Sequence, residues 1–231
     1  MLRPKRNQLT NLTQRGFCFL LLAVLLLPSM GLSTAADAEV FNEGSGYLSL
    51  PPGLDPASRY PLLVVLSPSG NPDDSLDKWE SIAEELNVII FASKDYRNGK
   101  DMKPLLEEIA AKIPELAMNY AIDETKVIFA GLSGGGMGSH AFSYSHPEKL
   151  LGIIVNTGMM HEIYKSRTDY TRNKKIVFLA SPTDFRYDEM QSDRQFLEKL
   201  GWQINWLEFA GGHTHAPEKL RKEALAWLLN N

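Results

Sequence analysis

Five short segments of this chain are apolar without alternation: YPLLVVLS (60–67), NVIIFAS (87–93), KVIFAGL (126–132), LLGIIVN (150–156) and KIVFLA (175–180). A strand with one wet face alternates apolar and polar residues. A strand that is apolar and β-branched throughout is covered on both faces. Between these runs the apolar spacing becomes helical: Trp79, Ile82, Ala83 and Leu86 in Asp77–Leu86, then Leu105, Ile109, Ile113 and Leu116 in Pro104–Met118. Pro104 suits a first helical turn, and Pro114 is expected to kink the end of its helix. Strand alternating with helix predicts an α/β fold, a mostly parallel central sheet with helices on both faces. A strand at Gly46–Leu50, an edge-like strand at Ile204–Phe209 and helices at Gly134–Ser145, Tyr187–Leu200 and Ala216–Leu229 complete the series. No repeat or low-complexity tract interrupts it, and 231 residues suit one such domain.

The first 36 residues stand apart. Arg3, Lys5, Arg6 and Arg15 precede the unbroken apolar run Phe17–Leu27, and Pro28, Gly31 and the small residues Ser33 to Ala36 follow it. This is the layout of a secretory signal peptide, with cleavage expected near Ala36 and the working domain at 37–231. The run is shorter than the ~20 residues a spanning helix needs; an uncleaved anchor is the alternative. The expected location is secreted or periplasmic, with no membrane contact once the leader is removed.

Four of the 24 Lys and Arg and none of the 28 Asp and Glu lie in that leader, so residues 37–231 carry 20 bases against 28 acids. That balance lacks the basic footprint of a nucleic-acid partner. The single cysteine, Cys18, is in the leader. The remainder can form neither a disulfide framework nor a thiolate zinc site, and it has no Cys nucleophile.

Gly131-Leu132-Ser133-Gly134-Gly135 matches G-x-S-x-G between an apolar strand and a helix. A turn that sharp needs glycines beside the serine and leaves the serine exposed at the strand end, before a helix N-terminus that favours negative charge. Ser133 is therefore the candidate nucleophile. A serine hydroxyl needs an adjacent base, and the base needs an orienting carboxylate. Of the five histidines, His140 falls within the helix after Ser133, His146 ends that helix, and His161 lies just past a strand end. His213 follows Phe209-Ala210-Gly211-Gly212 after the last strand and is the candidate base. Asp184, beyond the strand end at Ala180, is the candidate acid, with Asp188 as runner-up. A developing oxyanion needs N–H donors. Gly134 is the first candidate. Pro68 has no N–H, so the second falls to Ser69 or Gly70, with Ser69 preferred. The irregular segment Ser93–Lys103, containing Asp95, Arg97 and Gly99, is either functional or a solvated connection.

With these residues the chain resembles the α/β-hydrolase superfamily, and within it the small secreted esterases related to polyhydroxyalkanoate depolymerases and feruloyl esterases. The resemblance covers roughly Leu48 to Leu229 and rests on YPLLVVLSPSG, FAGLSGGGMGSHAFSYSHPEKLLGIIVNTG, the Asp of LASPTD, and EFAGGH. It implies a Ser133–Asp184–His213 triad, an oxyanion hole at Gly134 and Ser69, and a small-molecule or polymeric ester as substrate. No cofactor or metal is expected, and strands and helices follow each other with too little to spare for a lid insertion. Two departures stand out. Ser67-Pro68 replaces the usual His-Gly, which bears on the oxyanion hole. Thr214-His215 stands where relatives often carry Trp, which bears on the substrate shelf. Three other readings share these residues: a peptidase of the same fold, a catalytically silent binding protein, and a metal site built on His213 and His215.

Overall fold

A computed structural model describes residues 38–230; the expected leader lies outside them. The described chain forms an eight-stranded sheet ordered β1-β2-β4-β3-β5-β6-β7-β8. Its strands are β1 (Glu39–Asn42), β2 (Gly46–Leu50), β3 (Tyr60–Leu66), β4 (Ile89–Ser93), β5 (Ile122–Leu132), β6 (Gly152–Asn156), β7 (Lys175–Ala180) and β8 (Gln203–Glu208). The β1–β2 and β2–β4 pairs are antiparallel, and every other neighbouring pair is parallel.

Side chains on β3 show why the apolar runs lack alternation. Leu62, Val64 and Leu66 enter one core layer, while Leu63 and Val65 enter the other. Helices α2 (Met102–Asn119), α3 (Gly134–Ser145) and α5 (Tyr187–Lys199) cover the first face. Helices α1 (Pro72–Leu86) and α6 (Glu218–Asn230) cover the second. The short helix α4 (Glu162–Lys165) is the one helix in the β6–β7 connection.

Element boundaries agree with the sequence reading in some places and depart from it in others. Helix α1 starts at Pro72, ahead of the expected Asp77, because the Asn71 side chain caps the Asp73 N–H and Pro72 occupies the first turn. Helix α2 runs from Met102 through Pro114 to Asn119, close to the expected Pro104–Met118. Strand β1 has no counterpart in the apolar pattern, because its residues are largely exposed.

Packing also seats α3 on β5. The rings of Phe129 on β5 and Phe142 on α3 stack 3.8 Å apart, and Phe142 is wholly buried. Truncating such a side chain costs about 3–5 kcal/mol. This contact fixes α3 against the strand that delivers Ser133.

Candidate active site

Ser133 sits between β5 and α3 with φ 53° and ψ −116°. Backbone strain of that kind costs about 1–3 kcal/mol and persists where the surroundings over-determine it. The surroundings here are tight. A Cβ on Gly131 would lie 2.1 Å from the Gly135 carbonyl carbon, and one on Gly135 would lie 1.9 Å from the Leu66 oxygen. The Ser133 N–H donates to the Asn156 carbonyl at 2.9 Å, and the Ser133 carbonyl accepts from Met137 at 3.1 Å.

The strand ends bring the three expected side chains together. His213 Nε2 lies 2.9 Å from Ser133 Oγ, and His213 Nδ1 lies 2.7 Å from Asp184 Oδ2. The Asp184 side chain is fully buried, and its Oδ1 accepts the Arg186 N–H at 2.7 Å. Gly211 and Gly212 adopt φ values of 153° and 68°, which release the chain to turn back towards Ser133. Gly212 N–H donates to Ser181 Oγ at 2.9 Å, tying this loop to the one that carries Asp184. Asn156, buried at the end of β6, holds it from below. Its Nδ2 donates to the Thr214 carbonyl at 2.9 Å, and its Oδ1 accepts the Ala216 N–H at 2.7 Å. The ring of Phe185, itself 67% exposed, lies 4.5 Å from the His213 ring and forms an apolar shelf beside it.

The other histidines and Asp188 are placed elsewhere. His140 is fully buried near Phe178, and burial lowers its pKa to about 3, so it stays neutral. His146 caps the C-terminus of α3 and faces Glu107 at 3.3 Å. His161 caps α4. Asp188 lies in the first turn of α5. His215 lines a separate recess with Ser69, Asp74, Trp79 and Asn156. Burial first, and then the charges of Arg221 and Lys78, lower the pKa of His215 to about 4. Both ring nitrogens of His213 face Ser133 and Asp184, so the His213–His215 pair is not assembled as a chelate. Among the described residues no group of three His, Cys, Asp or Glu is placed to hold a metal ion.

Gly134 adjoins Ser133 in a cleft of about 270 Å³. Ser69 is exposed, and its N–H donates to Ser67 Oγ at 3.3 Å. Gly70 N–H donates to the Ser67 carbonyl at 3.2 Å. The segment after β4, including Tyr96 and Asn98, lines this cleft with Ser133. The buried Tyr96 hydroxyl donates to the Gly134 carbonyl at 2.6 Å, and the Asn98 N–H donates to the Pro68 carbonyl at 2.9 Å. Neither Tyr96 nor Asn98 is marked by sequence pattern beyond membership of the irregular Ser93–Lys103 stretch. Asn156 and Phe185 carry no sequence signal at all.

No family model matches the chain, and no curated protein matches it. Solved structures do. FphF, a fluorophosphonate-binding serine hydrolase of Staphylococcus aureus, superposes with a TM-score of 0.64 at 12% identity, covering 84% of this chain and 98% of that one. The fold is that of the α/β-hydrolases. Esterase PE8 is similar at TM-score 0.65 and 17% identity, over 84% of this chain and 99% of that one. The Bacillus cereus carboxylesterase is similar at 0.62 and 15%, over 80% and 94%.

Proposed function

We propose that this α/β-hydrolase-fold chain is a serine hydrolase that cleaves carboxylic esters through an acyl-enzyme. The observation that carries the reading is the continuous relay Asp184 Oδ2–His213 Nδ1 at 2.7 Å and His213 Nε2–Ser133 Oγ at 2.9 Å. Similar structures described as carboxylesterases and serine hydrolases support it.

In this reading Ser133 Oγ attacks the ester carbonyl while His213 Nε2 takes the hydroxyl proton. Asp184 orients the imidazole and stabilises its cation. The Gly134 N–H donates to the oxygen that becomes negative. Collapse breaks the C–O bond to the alcohol, which leaves with the proton from His213. Water then attacks the acyl-Ser133 carbonyl, giving its proton to His213, and the acid departs as Ser133 recovers the proton.

The β6–β7 connection carries only the four-residue helix α4, and with the exposed Phe185 shelf this supports short acyl esters over long ones. The leader pattern supports export. The deciding experiment is labelling of Ser133 by a fluorophosphonate, with 4-nitrophenyl acetate and butyrate as substrates. Wild type should be labelled and active, and Ser133→Ala neither. A folded Ser133→Ala protein with near-normal esterase activity would overturn the proposal. N-terminal sequencing of the exported protein should find a start between about residues 35 and 39.

A further inference from the structure

We propose that the side chain of Asn98 is a catalytic hydrogen-bond donor of this site, supplying the second arm of the oxyanion hole. The proposal rests on the serine-hydrolase reading and begins with a vacancy in the β3 loop. Pro68 has no N–H, the Ser69 N–H is committed to Ser67 Oγ, and the Gly70 N–H is committed to the Ser67 carbonyl. None of these three residues lines the cleft that holds Ser133. Asn98 does line it. A Cβ built on Gly134 would meet Asn98 Oδ1 at 1.9 Å, Cγ at 2.8 Å and Nδ2 at 3.1 Å. The amide therefore lies directly over the residue whose N–H is the first donor.

Three contacts hold the segment that carries it. Asn98 N–H binds Pro68 O at 2.9 Å, Tyr96 OH binds Gly134 O at 2.6 Å, and Tyr96 N–H binds Ser93 Oγ at 3.2 Å. The amide offers two N–H donors and one acceptor, and rotation about χ2 exchanges the oxygen and nitrogen positions. Nδ2 turned into the cleft would face a carbonyl oxygen carried on Ser133. A neutral donor fixed beside developing negative charge stabilises the transition state more than the ground state.

The test compares wild type with Asn98→Ala and the near-isosteric Asn98→Asp on 4-nitrophenyl butyrate, with folding checked by circular dichroism. Loss of one oxyanion donor lowers kcat about 10²–10³-fold. Asn98→Ala should show that loss with KM changed less than threefold or so, and Asn98→Asp should be at least as slow. The Ki of an arylboronic acid, which forms a tetrahedral anion on serine, should rise in parallel while the Ki of the carboxylic acid product should not. A purely structural role would leave boronate and product affinities moving together. Folded Asn98→Ala with wild-type kcat, or with equal loss of boronate and product affinity, overturns the proposal. Absence of fluorophosphonate labelling in wild type would instead overturn the serine-hydrolase reading.

A second, independent observation concerns the substrate. Arg97, Lys100 and Arg186 line the cleft, and no Asp or Glu lines it, although acids outnumber bases in the chain. Arg186 is paired with Glu189 at 3.1 Å, and among the described residues no ion pair is formed by Arg97 or Lys100 at that wall. Met102, Met137 and Met159 supply adaptable apolar surface between them. A cleft lined by one sign of charge concentrates ligands of the other. Resting again on the ester reading, the geometry points to esters that carry a carboxylate. Two matched pairs test this: 4-acetoxyphenylacetate against 4-acetoxyphenylacetamide, and a mono-aryl adipate against its terminal amide. At low salt kcat/KM should favour the anion of at least one pair about fivefold or more, and 0.5 M salt should erase the preference. Arg97→Gln with Lys100→Gln should lower the ratio, while Lys126→Gln, on the β5 segment remote from Ser133, should not. Turnover of the neutral esters with no preference in either pair sinks this inference and leaves the esterase reading standing.

Discussion

Asn98 occupies the space that a side chain on Gly134 would need, its Oδ1 only 1.9 Å from where that Cβ would sit. Gly134 is thus required by a neighbour as well as by the turn. Gly134→Ala should push the amide aside, lowering both Tm and kcat. Adding Asn98→Gly should restore room for the methyl group and recover most of the Tm. It should not recover kcat, because the donor is gone. Thermal melts and single-ester kinetics on the three variants check this; recovery of the rate together with stability would contradict it.

Ser133 adopts a backbone angle that glycine adopts freely. Ser133→Gly should therefore abolish turnover and stabilise the fold by about 1 kcal/mol. For a domain of this size that corresponds to a rise in Tm of about 2–4 °C. Ser133→Ala, which keeps the strain, should melt close to wild type. Differential scanning calorimetry of the pair decides the matter.

His213 and His215 share a loop but face different recesses. His213→Ala should be nearly as inactive as Ser133→Ala, and the double variant no worse than either, since the two act as one unit. His215→Ala should retain most of kcat. Asn156→Leu belongs to the same test. It removes both side-chain bonds to this loop and leaves the buried Ala216 N–H unpaired, at a cost of about 1–3 kcal/mol. Slower fluorophosphonate labelling of Ser133 should accompany it.

His140 is buried with neither ring nitrogen hydrogen-bonded among the described residues, and burial lowers its pKa to about 3. The unfolded chain binds this proton near pH 6.5 and the folded chain does not. The stabilising contribution is therefore complete above pH 6.5 and is lost as pH falls towards 3. His140→Leu should flatten the dependence of unfolding free energy on pH across that window, whatever it does to stability at pH 7. Urea melts at pH 7, 5.5 and 4.5 measure the slope; an unchanged slope would count against the assignment.

Much of this fold is legible in the sequence because its strands are buried on both faces. Leu62 to Leu66 cannot be read as anything that meets water. Strand β1 escapes the same reasoning because Glu39, Val40 and Asn42 are exposed, and only pairing with β2 makes them a strand. The expected Ser133, Asp184 and His213 are each signalled by a strand end and local glycines or turns, and the structure brings them within hydrogen-bonding distance. Asn98 and Asn156 are different. Each acts on a segment dozens of residues away, and nothing near either residue in sequence records that contact. The Ser67-Pro68 departure draws attention to the β3 loop, but nothing in it points to the segment after β4 that lines the cleft.

The three residues of the relay are carried by strands of unequal security. Ser133 follows β5, with neighbours on both sides, whereas His213 follows β8, which among the described residues pairs only with β7. Edge elements open locally at lower free energy than central ones. Detachment of β8 would carry the imidazole away while the nucleophile stayed seated. Catalysis should accordingly fail at a urea concentration below the loss of helical signal, and amide protons of Ile204 to Leu207 should exchange sooner than those of Ile128 to Ala130. On the serine-hydrolase reading, turnover would be a sensor of fraying at one margin of the sheet.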